Sequence, residues 1–223
     1  MGGLARLFGV FWDALFPRAC VVCEREGDII CVSCAQNVKI PAWHLHTERE
    51  GVRVFSRASY KERAVQRLLH AWKYKGDSSA GEWWQKWISE TAAAPAVFHD
   101  AIFVPVPLAR EAFAERGFNQ AELLARALAA KHGGSVKLLL ERLPRKAQAK
   151  TEKEDRGNAR TQNPYHVNLV GRRMQAAGQL PKEVILVDDV YTTGSTIMAC
   201  ADMLKEMGVE KIFAITLAYG NDA

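Results

Sequence analysis

The 223-residue chain is short of several things that would each settle its class. It has no run of about 18 uninterrupted apolar residues, so no membrane-spanning helix is expected. It lacks the bias of a disordered tail, a collagen-like rod or a low-complexity array, since hydrophobic residues make up 48% and charged residues 25%. It has no internal repeat. It also lacks the even, dispersed cysteine set of a secreted disulfide framework. There are five cysteines, and four of them fall between Cys20 and Cys34. The apolar start, Met1 to Phe16, has no basic leading segment and no small-residue cleavage site, and Arg6 and Asp13 interrupt it. No signal peptide is read there, and a reducing cytoplasm is the expected setting.

What is present points to an anionic ligand. The formal net charge is +5. The excess is local: between Arg142 and Arg173 nine basic residues face three acidic ones, a net of +6. A basic stretch beside otherwise balanced charge suits phosphate, pyrophosphate or nucleic acid.

Apolar periodicity organises the chain. Leu4, Leu7, Phe8, Phe11, Trp12, Leu15 and Phe16 recur at helical spacing up to Pro17 and are read as a helix docked on the core. A membrane-surface helix is the weaker reading, because its polar face lacks basic residues. A polar stretch follows the cysteines through Glu50. Val52 to Tyr60 is expected to form a strand pair. Glu62 to Lys75 is expected to be a helix with Ala64, Leu68, Leu69 and Trp72 inward. Trp83, Trp84 and Trp87 anchor another short helix. From Asp100 the pattern changes. Apolar runs at Ala101–Val104, Val136–Leu140, Glu183–Val187 and Lys211–Leu217 alternate with helices at Asn119–His132 and Thr196–Met207. Such alternation implies an α/β fold with a parallel sheet buried on both faces. The domain boundary is placed between Pro41 and Val52, giving an N-terminal element of residues 1–50 and a main domain of 51–223.

The most informative segment runs from Val184 to Thr196. Val184, Ile185, Leu186 and Val187 make a central strand, and Asp188 and Asp189 stand at its carboxyl end, where open α/β sheets bind ligands. Adjacent strand residues face opposite ways, so the two acids are expected to do different jobs. Thr192, Thr193, Gly194, Ser195 and Thr196 form a hydroxyl-rich turn opening a helix, a cradle for a monophosphate. Carboxylates beside it would repel a bare phosphate. They suit neutral hydroxyls or a divalent metal carried by the ligand. A sugar 5-phosphate with a 2,3-diol satisfies both. The plain alternative is a capped strand–turn–helix, in which two adjacent buried acids would be costly without partners.

This stretch resembles the motif by which type I phosphoribosyltransferases bind 5-phosphoribosyl 1-pyrophosphate (PRPP). Val104-Pro105-Val106-Pro107-Leu108, Arg116-Gly117-Phe118-Asn119-Gln120, Trp72-Lys73-Tyr74-Lys75-Gly76-Asp77 and the early Cys-x-x-Cys pairs are similar, in order, to the ComF family, named for competence for DNA uptake. The resemblance implies a type I phosphoribosyltransferase fold, a parallel sheet flanked by helices, with a small N-terminal zinc ribbon. It implies that Asp188 and Asp189 contact the ribose hydroxyls as the catalytic acids, and that PRPP also meets Val190, Thr192, Thr193, Gly194, Ser195 and Thr196. Val106, Pro107 and Leu108 are the nearest match to the pyrophosphate loop. Arg116 either neutralises pyrophosphate or forms a salt bridge where a helix begins. Asn119 and Gln120 either cap the next helix or meet a ligand, and capping is the reading taken for Asn119. The implied cofactor is Mg²⁺, arriving with PRPP.

The chain departs from related patterns in two places. Thr192 stands where hypoxanthine–guanine enzymes carry an acid, which argues against a 6-oxopurine substrate. In the basic segment Gln148 and Arg156 fit, but Ala159 occupies the place of an Asn, with Asn158 one residue early. The segment is read as a flap over phosphates or as a solvated loop.

Cys20-x-x-Cys23 and Cys31-x-x-Cys34 are metal-type knuckles, since two-residue spacing lets both thiolates face one tetrahedral ion. Four sulfurs complete a structural Zn²⁺ shell without His44 or His46. A redox dithiol or buried free cysteines are the alternatives. Cys200 is read as core.

Three functions are carried forward. The first is transfer of phosphoribosyl from PRPP to an unknown nitrogen acceptor. The second is a competence accessory protein that binds single-stranded DNA, with Trp72 and Tyr74 stacking and Lys73 and Lys75 pairing with phosphates. The third is a non-catalytic PRPP sensor. Competence proteins are further candidate partners.

Overall fold

The computed structural model describes residues 19–38, 42–74, 78–89, 94–144 and 163–220. The docked helix expected at Leu4–Phe16, the Lys75–Asp77 segment and the basic positions from Arg145 to Arg160 lie outside these residues.

Eight strands, seven α-helices and one short 3-10 helix (Ala96–Phe98) follow the chain among the described residues. The strands and α-helices are α1 (Val32–Asn37), β1 (His44–Arg49), β2 (Val52–Ser59), α2 (Arg63–Tyr74), α3 (Ser78–Ser89), β3 (Ile102–Pro105), α4 (Arg110–Arg116), α5 (Gln120–His132), β4 (Ser135–Val136), β5 (Leu140–Arg142), β6 (Tyr165–Val167), α6 (Leu169–Ala176), β7 (Glu183–Tyr191), α7 (Ser195–Met207) and β8 (Lys211–Tyr219). Six strands form one sheet in the order β1-β2-β8-β7-β3-β4. Every neighbouring pair is parallel except β1 and β2. The central strands β7 and β8 are nearly continuous apolar runs because helices cover both faces.

Burial explains the layers. Ile185, Val187, Phe213 and Ile215 pack with Leu68, Leu69 and Trp72 of α2, Trp84 of α3 and Leu124 and Leu128 of α5. Val184, Leu186, Ile212 and Ala214, facing the other way, pack with Ile197, Cys200 and Leu204 of α7. Alternation along each strand therefore sends successive residues into two separate cores. Trp84 and Trp87 are buried, their ring centroids 5.0 Å apart at near right angles, as anchoring residues should be. Cys200 is fully buried core.

Three details differ from the sequence reading. Val52–Ser59 is one strand, not a pair. Its antiparallel partner is His44–Arg49, drawn from the stretch read as polar and variable. No residue of β1 is buried, so this edge strand carries no apolar signal. The turn at Glu50–Gly51 joins the two, and the boundary expected at residue 50 falls inside that hairpin. Lastly, the Val136–Leu140 run is not one strand. Val136 pairs with β3, whereas Leu140 begins β5, which pairs with β6 in a separate two-stranded sheet. Among the described residues no helix is long and apolar enough to cross a membrane.

Candidate functional site

The site is built where β7 ends. Asp188 lies opposite Thr216 of β8, and the pairing runs on past the two acids to Val190 and Tyr191. The side chains of Asp188 and Asp189 leave on opposite sides of the strand, as pleating requires, yet both reach one cavity of about 140 Å³. Asp189 turns toward α2, where its Oδ2 lies 2.5 Å from Lys73 Nζ. Asp188 sits toward α7 and β5, within electrostatic reach of Cys200, Tyr165 and Arg142. Its Oδ1 accepts the backbone N–H of Asp189 at 2.8 Å.

The electrostatics separate the pair. Burial, reinforced by the charge of Asp189, pushes the Asp188 carboxyl up to about 7, and the Asp189 N–H, Lys73 and Arg142 only partly oppose this. Burial lowers the Lys73 ammonium, but Asp189 and then Asp188 more than offset it, so its pKa is raised. Near neutral pH one acid is ion-paired and its neighbour is poised to gain or lose a proton.

The loop after β3 makes the opposite wall. Val106, Pro107 and Leu108 line the cavity with Arg116, Asn119 and Gln120. The Val106 N–H donates to Val187 O at 2.9 Å, so the loop stays clamped to β7. Asn119 works in two directions. Its Oδ1 accepts from Ala121 N at 3.1 Å, the helix cap expected of it, and its Nδ2 donates to Val106 O at 3.0 Å. The start of α5 and the loop are thus one unit. Arg116 ends α4 and donates from Nη1 to Gln120 Oε1 at 3.3 Å.

The hydroxyl loop closes the third side. Gly194 precedes α7 with φ of +76°, a conformation that favours glycine. A β-carbon there would also lie 2.7 Å from Tyr191 Cζ and 2.8 Å from Cε2, so the ring under the turn excludes any side chain. Thr193 Oγ1 donates to Ser195 Oγ at 3.1 Å, and Arg49 Nη1 holds Thr193 O at 3.1 Å. The first-turn amides of α7 have no intrahelical carbonyl and face out of the helix with its positive dipole end, suited to an anion. Thr196 lines both the acid cavity and an adjoining groove of about 500 Å³, together with Arg142 and Tyr165. Val190 packs at the edge of the α2-side core.

The structure thus gathers Asp188, Asp189, Val106, Pro107, Leu108, Arg116 and Thr196 around one cavity, with Thr192, Thr193, Gly194 and Ser195 on the turn beside it. Sequence reasoning missed Lys73, Arg142 and Tyr165 as lining residues, and it left Gln120 open between capping the helix and meeting a ligand. The Trp72-Lys73 block and the Asn119-Gln120 pair were the available signals. The stacking role considered for Trp72 is corrected: it is 2% exposed and packs against Phe118. Its neighbour Lys73 faces Asp189 rather than solvent.

The four cysteines form the second centre. Their Sγ atoms all lie within 4.8 Å of one another, and Cys23 and Cys31 sulfurs are 3.7 Å apart. Tetrahedral zinc with Zn–S bonds of about 2.3 Å needs sulfurs about 3.8 Å apart, so the donors fit that ion. None forms a disulfide. Burial raises the Cys20 thiol, but N–H groups of Cys23, Cys31 and Val22 outweigh it and bring it down to about 6, whereas burial and the neighbouring thiols push Cys34 up to about 12. Cys20 therefore gives the thiolate readily, and Cys34 gives it only when a metal displaces its proton. The element docks on α2. Arg67 Nη1 donates to Val21 O at 2.8 Å and Val22 O at 2.9 Å, and Cys20, Ile29 and Ile30 join the core of Leu68, Leu69 and Trp72.

Residues 114–223, which include the acid pair and the hydroxyl turn, match the phosphoribosyl transferase domain family. The Competence protein ComFC of Streptococcus pneumoniae (strain ATCC BAA-255 / R6) is 28% identical over 198 residues, 87% of this chain and 82% of that protein. The Competence protein ComFC of Bacillus subtilis (strain 168) is 30% identical over 145 residues, 65% of this chain and 55% of that protein. These matches support a ComF-family, type I phosphoribosyltransferase-like chain, and its clustered cysteines fit a zinc ribbon.

Proposed function

We propose that the chain binds PRPP and transfers its phosphoribosyl group to a nitrogen acceptor with release of pyrophosphate. One observation carries this reading: a carboxylate pair, a hydroxyl-lined helix start and a cationic wall converge on one cavity at the carboxyl end of the sheet. The 5-phosphate sits on Thr192–Thr196, the ribose diol on Asp188 and Asp189, and the pyrophosphate against Val106–Leu108 and Arg116. Asp188 and Asp189 are also the carboxylates able to hold Mg²⁺ brought by PRPP, which neutralises pyrophosphate charge when bound. As the C1–O bond breaks, positive charge develops on the sugar, and the fixed acids stabilise it better than a strong base would. The acceptor nitrogen forms the new bond to C1 and gives up one proton.

Zn²⁺ on Cys20, Cys23, Cys31 and Cys34 holds the N-terminal element, and free thiols suit a reducing cytoplasm. The link to competence, and through it to single-stranded DNA, rests on the name of the relatives. The test is calorimetry with PRPP and Mg²⁺. Asp189→Asn removes a charged partner of the sugar, and its affinity is expected to fall roughly 10- to 150-fold. Unchanged affinity rejects the assignment. A panel of amines and nucleobases scored for pyrophosphate release separates transfer from sensing.

A further inference from the structure

Lys73 has no place in the pyrophosphate loop or the hydroxyl turn, yet its ammonium sits on the acid assigned to the ribose. It stands in the last turn of α2, with its side chain 23% exposed and that of Asp189 13%. It shares the cavity wall with Arg116, whose positive charge is close enough to oppose its own. Beside them Gln120 is 2% exposed, and its Oε1 accepts from Arg116, which turns the amide nitrogen away from that guanidinium. Gln120 lines the cavity, and its buried Nε2 has no acceptor among the described residues. A buried donor without an acceptor costs about 1–3 kcal/mol, a cost that an incoming oxygen would remove. The wall is therefore rich in donors and short of acceptors, while Asp189 is already occupied.

We propose that Lys73 is a specificity residue for the 1-diphosphate: its ammonium holds Asp189 until sugar hydroxyls take that carboxylate, then swings to the diphosphate oxygens, with Gln120 Nε2 donating beside it. This rests on the PRPP-binding reading. A lysine suits the exchange, because its four-carbon stem is flexible and its three donors are not tied to one plane. The consequence is discrimination. A sugar phosphate lacking the 1-diphosphate must displace Lys73 without offering it a new anion. PRPP displaces it and supplies one.

The experiment uses the full chain with Mg²⁺ and measures affinity for PRPP, inorganic pyrophosphate and ribose 5-phosphate. Lys73→Met is expected to weaken PRPP and pyrophosphate at least 10-fold and to leave ribose 5-phosphate unchanged or a few-fold tighter. Lys73→Arg should recover part of the loss, and Gln120→Leu should weaken PRPP and not ribose 5-phosphate. In the unmutated protein, pyrophosphate should slow acetylation of Lys73 and ribose 5-phosphate should speed it, read by peptide mass spectrometry. Equal weakening of PRPP and ribose 5-phosphate in Lys73→Met, or acetylation indifferent to either compound, overturns the proposal and leaves Lys73 as a structural counter-ion. If the unmutated protein binds neither sugar phosphate, the PRPP reading itself fails, a result distinct from the first two.

Discussion

The cysteine element and the acid cavity are two sites built on opposite plans. All four sulfurs come from fifteen consecutive residues, and a local turn and the start of α1 bring them together. The acid cavity draws Lys73 from α2, Val106–Leu108 from a loop, Gln120 from α5, Arg142 from β5, Asp188 and Asp189 from β7 and Thr196 from α7. The first needs only local chain geometry and a metal. The second exists only when the sheet is assembled. One helix joins them, since Arg67 of α2 grips the knuckle carbonyls and Lys73, six residues on, grips Asp189. The two sites are separate in chemistry and shared in scaffold.

Removing the metal should break that comparison most sharply. Structural zinc contributes about 10–16 kcal/mol in isolated fingers, so chelation or Cys23→Ser should unfold the cysteine element. Elemental analysis should find one zinc per chain before treatment. If α2 transmits the loss, PRPP affinity falls as well, and calorimetry on the chelated protein checks this.

A pH titration probes the acid site next. The folded Asp188 carboxyl, near 7, lies above its unfolded value of about 4. The folded state therefore binds this proton more tightly than the unfolded one. Its contribution to stability is full below about pH 4 and is lost as pH rises through 7, by at most about 4 kcal/mol. Asp188→Asn should flatten that part of the curve in denaturant titrations run from pH 4 to 8. PRPP affinity should move the other way and gain as Asp188 ionises.

The smallest of the three effects is Gly194→Ala. The positive φ and the Tyr191 ring together should cost about 2–3 kcal/mol. Thermal unfolding should show the loss with zinc content unchanged. A change in zinc content would mean that the two sites are less separable than their construction implies.

Legibility followed the same division. The knuckles, the apolar runs of β7 and β8 and the acid pair all declare themselves over short spans. β1 did not, because the edge strand His44–Arg49 buries nothing and shows no alternation. The Val136–Leu140 run misled because one apolar stretch serves two sheets. Trp72 carried two readings, inward by helical periodicity and outward as a stacking ring, and its burial bears out the periodicity. Lys73 was visible in a family block, but its partner lies 116 positions away along the chain, and no spacing rule connects them.

The amino-acid order alone settled the chemistry that depends on neighbours: paired cysteines, adjacent carboxylates, a glycine between hydroxyls, a basic excess. Residues within a turn meet whatever the rest of the chain does. Only tertiary structure decided which cation faces Asp189, which carboxyl is held near neutrality and which amide is left without an acceptor. Those outcomes depend on burial and on distances between remote elements, and neither quantity exists until helices close over both faces of the sheet.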